Sequence, residues 1–225
     1  MKRGVIALFL TIIILTPGCM SSPESTFFGN FHGDLIENGK KANDFTLITH
    51  DNQTYNFKES TEGKVVIIAF LFTNCYDICP IVTHNLRIVH ESLNQSELDK
   101  IEFLTITVDP WRDNTSILTE WKLGTKSNWT HLTINNVDDE SSEFQQLSEV
   151  WNNFNVGFSI ETNQTTESTE TSGRHHPGDY DIEHSTGTVL IDHNGYQRVW
   201  WGDYDWIIDL VHEDLLELVS QIEDK

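Results

Sequence analysis

Residues 65–71 run Val65, Val66, Ile67, Ile68, Ala69, Phe70, Leu71 without a polar interruption. Such a run reads as a strand buried on both faces. The chain then passes through Phe72, Thr73, Asn74, Cys75, Tyr76, Asp77, Ile78, Cys79 and Pro80. Residues 81–93 read as a helix, with Pro80 in its first turn. Two thiols therefore sit where a central strand ends and a helix begins. Backbone N–H groups and the helix dipole favour thiolate there, the form that binds metal or attacks disulfides. If 75–79 is helical, the i, i+4 spacing puts both sulfurs on one face. Their Cα atoms would lie about 6 Å apart, within the range of a disulfide. The pair can hold a soft metal when reduced or close into a Cys75–Cys79 disulfide when oxidised. A bridge across so few residues restrains little of the unfolded chain, which argues against a purely structural role.

The rest of the chain supplies matching elements. Residues 44–48 and 54–57 alternate around Asp51 and Asn52 and predict a hairpin. Residues 101–108 are a second buried strand, ending in Asp109, Pro110, Trp111, Arg112 and Asp113. A helix over 115–123, a strand over 130–134 and a helix over 142–154 follow, the last capped by Asp139 or Ser141. Residues 186–192 and 196–201 flank His193, Asn194 and Gly195, a strong hairpin signal. Residues 206–222 form an amphipathic closing helix. Strands and helices alternate before a final hairpin, so the fold class is α/β, a central mixed sheet flanked by helices. Residues 161–182 have no apolar periodicity and are rich in Thr, Ser, Glu, Gly and Asn. They read as a long mobile loop inserted in the domain.

At 225 residues the chain supports one sizeable domain. Its formal net charge of -21 argues against nucleic acid and against anionic lipid surfaces. Lys2 and Arg3 precede an apolar stretch, 5–15, that is shorter than the roughly 20 residues a membrane span needs. It ends in Leu15, Thr16, Pro17, Gly18 and Cys19, which resembles a bacterial lipobox. We therefore expect a signal peptide over 1–18, lipidation at Cys19, a polar tether over 19–38 and a folded domain over 39–225, with simple secretion or a short uncleaved anchor as the alternatives to lipidation. That places the domain on the oxidising, extracytoplasmic face of the cell membrane. Asn52, Asn94, Asn114, Asn128 and Asn163 open Asn-x-Ser/Thr sequons, in weak agreement with export.

Taken together these motifs resemble the Sco/SenC family of copper proteins, which have a thioredoxin-like fold. The resemblance runs from about Asn43 to the C-terminus. It is carried by Asp44 to Leu47, by Gly63 to Val66 leading into the Cys75-x-x-x-Cys79-Pro80 turn, by Thr107 to Asp113, and by Glu183, His184 and Ser185 ahead of Val189 to Asp192. Two features depart from the pattern: Glu183, where Asp is usual, and the long acidic loop before His184. The resemblance implies Cys75, Cys79 and His184 as copper ligands. Two thiolates and an imidazole also suit Cu(I) chemically, and Cu(II) with an added ligand. A structural zinc site wants four protein ligands, and three are evident. The resemblance further implies a membrane-tethered copper metallochaperone that delivers copper to the binuclear site of cytochrome c oxidase subunit II or a similar cuproprotein. The alternative is a thiol–disulfide oxidoreductase in which Cys75 and Cys79 reduce the acceptor's cysteines. A peroxide-reducing thiol enzyme is a third option, with no added support. His175 and His176 read as solvated loop residues, Asp77 as exposed, Asp109 and Arg112 as a structural pair. Trp200, Trp201, Tyr204 and Trp206 read as packing rather than a docking face.

Overall fold

The computed structural model describes residues 30–162, 180–184 and 187–223. For 37, 38, 158–162, 180–184 and 223 it describes the backbone alone. The strands are β1 (Asp34–Lys41), β2 (Thr46–Thr49), β3 (Thr54–Asn56), β4 (Val65–Leu71), β5 (Ile101–Thr107), β6 (Thr130–Thr133), β7 (Phe158–Thr162), β8 (Tyr180–His184), β9 (Gly187–Ile191) and β10 (Tyr196–Gly202). The helices are α1 (Phe57–Thr61), α2 (Ile78–Ser92), α3 (Gln95–Leu98), α4 (Thr115–Thr125), α5 (Ser142–Asn153) and α6 (Ile208–Glu223).

Eight strands form one sheet in the order β1-β10-β9-β4-β5-β6-β2-β3. β4, β5 and β6 are parallel, and the outer pairs are antiparallel. This is the expected mixed sheet, and its reason is visible in β4. All seven of its residues are buried, because helices cover both faces of a central parallel strand. α2 contributes Val82, Leu86 and Val89 to the core, and α6 contributes Val211, Leu215 and Leu218. Truncating a core residue as enclosed as Leu86 costs about 2–5 kcal/mol. Val108 N–H donates to the Leu71 carbonyl at 3.0 Å, so β4 and β5 stay in register to their last residues. Their carboxyl ends lie side by side, and in open α/β sheets ligands bind outside these ends.

The expected hairpins are present: Ile48 pairs with Thr54, and Trp200 with Val189. Ser141, not Asp139, caps α5, accepting the Phe144 N–H at 3.0 Å. α2 begins at Ile78, ahead of Pro80, so Cys79 lies inside the helix and Cys75 before it. The condition that 75–79 be helical is therefore met only at its end. Asn94 and Asn114 of the sequons are helix N-caps, each accepting two backbone N–H groups. Their Asn-x-Ser/Thr pattern has a folding reason of its own.

Two expectations need correction. The tether expected over 19–38 does not extend to residue 38: β1 begins at Asp34 and pairs with β10. Its register shifts between Leu35 and Lys40, so no strand alternation can be read from it. Gly39 has φ +54, and a Cβ there would lie 2.4 Å from Arg198. Just before β1, Asp214 of α6 accepts His32 N–H at 2.8 Å and Gly33 N–H at 3.0 Å while binding the Trp201 indole at 3.0 Å. A buried carboxylate thus ties the start of the domain to its last helix.

The segment 161–182 is also not a loop throughout. Residues 158–162 and 180–184 pair as a separate antiparallel ribbon of β7 and β8. Residues 163–179, with His175 and His176, lie outside the described residues, as do Cys19 and the whole segment 1–29. Among the described residues no helix is long and apolar enough to cross a membrane.

Candidate metal centre

The site grows from the end of β4. Cys75 is half-buried in the loop, and Cys79 is fully buried in the first turn of α2. Asp77 occupies the N-cap position, but its side chain makes no cap hydrogen bond. The Cys75 sulfur takes that role: it accepts the Cys79 N–H at 3.4 Å. The Cys75 thiol is pulled down to about 6, chiefly because the Cys79 thiol donates to it, and further because Cys79, Asp77 and Ile78 offer backbone N–H groups. Partial burial opposes this without overcoming it. Cys79 is pushed up, first because it must keep its proton to serve Cys75, then by burial, and by the negative charge of Asp203. The two thiols thus behave as one coupled unit: a thiolate at the mouth and a proton held beneath it. Neither is bridged in this structure.

A soft cation that replaces that shared proton would meet two sulfur donors on one helix N-terminus, a donor set that suits Cu(I) and other thiophilic ions. Among the described residues, no group of three or more His, Cys, Asp or Glu side chains is placed to hold a metal ion. The third expected ligand, His184, ends β8 opposite Phe158, and its side chain lies outside what the structure describes. β9 runs antiparallel to β4 with Thr188 opposite Ala69, so the chain enters β9 at the cysteine end of the sheet. His184 is three residues upstream of Gly187, a reach of roughly 10 Å.

The turn after β5 backs the cysteine loop. Asp113 is fully buried and accepts the Thr73 N–H at 3.1 Å, the Thr73 hydroxyl at 2.5 Å and the Thr107 hydroxyl at 2.6 Å. Burial pushes its carboxyl up to about 7 against the pull of Thr107 and Thr73. Asp109 and Arg112 form the expected ion pair, with the guanidinium 6.0 Å from the Phe72 ring.

The SCO1/SenC family pattern matches residues 33–204, most of the 225-residue chain. A SCO2-like protein of Rickettsia felis is 30% identical over 194 residues, covering 85% of this chain and 80% of the relative. The chain belongs to the SCO1/SenC family. Solved Sco structures share its thioredoxin-like fold. Yeast Sco1 with copper bound aligns at a TM-score of 0.60 and 22% identity, covering 80% of this chain and 89% of that one. BsSco, described as a member of the Sco family of cytochrome c oxidase assembly proteins with a disulfide switch, aligns at 0.58 and 18% identity, covering 87% and 100%.

Against that family frame, sequence reasoning missed two residues. Asp113 was seen only as part of a signature, because its partner Thr73 lies 40 residues away. Asp203 stands at the end of β10, and nothing local marks it as a neighbour of Cys79. Among the aromatics, Trp201 is buried and Trp200 and Trp206 pack on the core, as expected. Tyr204, at 78% exposed, does not. Asp77 is exposed, as expected, and Tyr76 beside it is 90% exposed, so the lip of the thiol site is aromatic.

Proposed function

We propose that this Sco-family chain is a copper-binding assembly factor for cytochrome c oxidase, and more specifically a metallochaperone. Copper is its cargo. Cys75, Cys79 and His184 would hold Cu(I), and the acceptor would be the binuclear copper site of subunit II or a similar cuproprotein. The observation that carries this reading is the coupled thiol pair. Cys75 lies half-exposed with its thiolate favoured, and Cys79 waits beneath it with one exchangeable proton. A low-coordinate site at a surface can pass Cu(I) stepwise to incoming thiols, each acceptor sulfur replacing one protein donor. Yeast Sco1 with copper bound supports the cargo, and BsSco, a member of the Sco family of cytochrome c oxidase assembly proteins, supports the assembly role. The signal-like segment 1–18 and Cys19 support a lipoprotein anchored on the extracytoplasmic face, where a tethered carrier would meet its acceptor.

The same asymmetry supports a second reading, a thiol–disulfide oxidoreductase. The Cys75 thiolate would attack an acceptor disulfide, forming a mixed disulfide and releasing one acceptor thiol. Cys79 would then displace the second acceptor thiol, leaving Cys75–Cys79 oxidised by two electrons. Anaerobic copper titration of the reduced protein separates the two. The chaperone reading expects one tightly held copper that His184→Ala weakens strongly. A redox-only protein would bind copper weakly and keep its dithiol cycling in that variant.

A further inference from the structure

The loop that carries Cys75 leaves the sheet at Phe72, which is buried, and Cys75 itself packs against the core. Between them Thr73 borders a small gap of about 10 Å³ shared with Thr107, Asp113 and Trp121. At Thr73, hydrogen bonds to a fixed group complement the packing. Asp113 is such a group. Its own backbone is pinned twice: its N–H donates to the Asp109 carbonyl at 2.9 Å, and its carbonyl accepts the Thr133 hydroxyl at 2.7 Å. Its carboxylate takes both donors of Thr73, two residues ahead of Cys75, and the Thr107 hydroxyl shares Oδ2 with the Thr73 N–H. Three donors converge on one carboxylate whose residue is fully buried, so leaving any of them unmade is costly.

We propose that Asp113 is the positioning residue of the thiol site: by clamping Thr73 to the ends of β5 and β6 it holds the Cys75 loop at the N-terminus of α2, where the sulfur meets the helix amides. The clamp stands on geometry and does not require the site to carry copper. Its consequence for metal binding rests on the reading proposed above.

The test uses the full-length reduced protein and compares Asp113→Asn with Thr107→Val. Asparagine keeps the shape but turns a donor toward Thr73. Thr107→Val removes the Thr107 contact to Oδ2 and the acceptor for the Asp109 N–H at 2.9 Å, so it lowers stability while leaving both Thr73 donors their carboxylate acceptor. Amide hydrogen exchange is read for residues 73–79 and, as reference, for β4, and copper affinity is measured alongside. Asp113→Asn is expected to speed exchange in the loop at least about tenfold relative to β4 and to weaken copper about 10–100-fold. Thr107→Val should shift both segments together. Should Asp113→Asn not fold, Thr73→Val deletes the hydroxyl alone and should speed loop exchange severalfold. Equal exchange in loop and β4 for Asp113→Asn would overturn the clamp, and undiminished copper affinity in a loosened loop would overturn its consequence for metal binding. If the wild type binds no copper while loop exchange still follows Asp113, the clamp stands and the metallochaperone reading falls.

Discussion

Cys75 and Cys79 are four residues apart and are placed by different forces. Cys79 sits on the packed face of α2 in line with Val82 and Leu86, so burial against the sheet fixes it. Cys75 sits in a loop, half-buried against the core, and hydrogen bonds set its position: Asp113 holds the loop through Thr73, and helix amides meet the sulfur. The first kind of placement gives a thiol that keeps its proton. The second gives a thiolate near neutral pH. A metal-carrying or disulfide-forming pair benefits from the difference, because one sulfur is ready and the other is protected.

The largest expected effect is on copper. Cys75→Ser and Cys79→Ser should each weaken copper binding more than about a hundredfold, since even residues behind a metal ligand are worth 10–100-fold. A Cys79→Ser protein with intact affinity would reduce the site to Cys75. Next comes reactivity. Above pH 6, a small alkylating reagent should modify Cys75 at least about tenfold faster than Cys79, located by peptide mass spectrometry. Equal rates would erase the contrast on which the account rests.

A similar contrast recurs in the buried polar layer under the loop. Burial holds Asp113 up at about 7 and His131 down at about 3, the latter also through the nearby His50 and Lys122. The two pull stability in opposite directions. His131, depressed in the fold, contributes stability that is present above its ordinary value of 6.5 and is lost as pH falls toward 3. Asp113, raised in the fold, contributes stability that is present below its ordinary value of 3.8 and is lost as pH rises through about 7. Between 3.8 and 6.5 their slopes cancel. In denaturant titrations His131→Asn should therefore gain stability on acidification across that window, and Asp113→Asn should lose it, each by about 1 kcal/mol per pH unit. Parallel profiles in the two variants would show that neither group is shifted. The smallest effect is at Asp77. It is exposed and caps nothing, so Asp77→Asn should change copper affinity and Cys75 reactivity by less than about threefold.

The parts of the fold legible from sequence are those with a strong period. β4, β5, the two hairpins, α5 and α6 all follow runs that only one kind of element can bury. β1 was not legible because its register breaks between Leu35 and Lys40 and its strand character comes from pairing with β10. The cysteines announced themselves by spacing and by Pro80. Their inequality did not, because it depends on where α2 begins, on the hydrogen bond between the thiols and on Asp203. His184 was reached through the family resemblance; it lies three residues before Gly187, where the chain enters β9 at the cysteine end of the sheet.

X-ray absorption at the copper edge of the anaerobic Cu(I)-loaded protein tests the central claim most directly. The account predicts two sulfur donors and one nitrogen in the wild type, falling to one sulfur in both Cys75→Ser and Cys79→Ser. Copper with no sulfur neighbours, or a sulfur count unchanged in either variant, would contradict it.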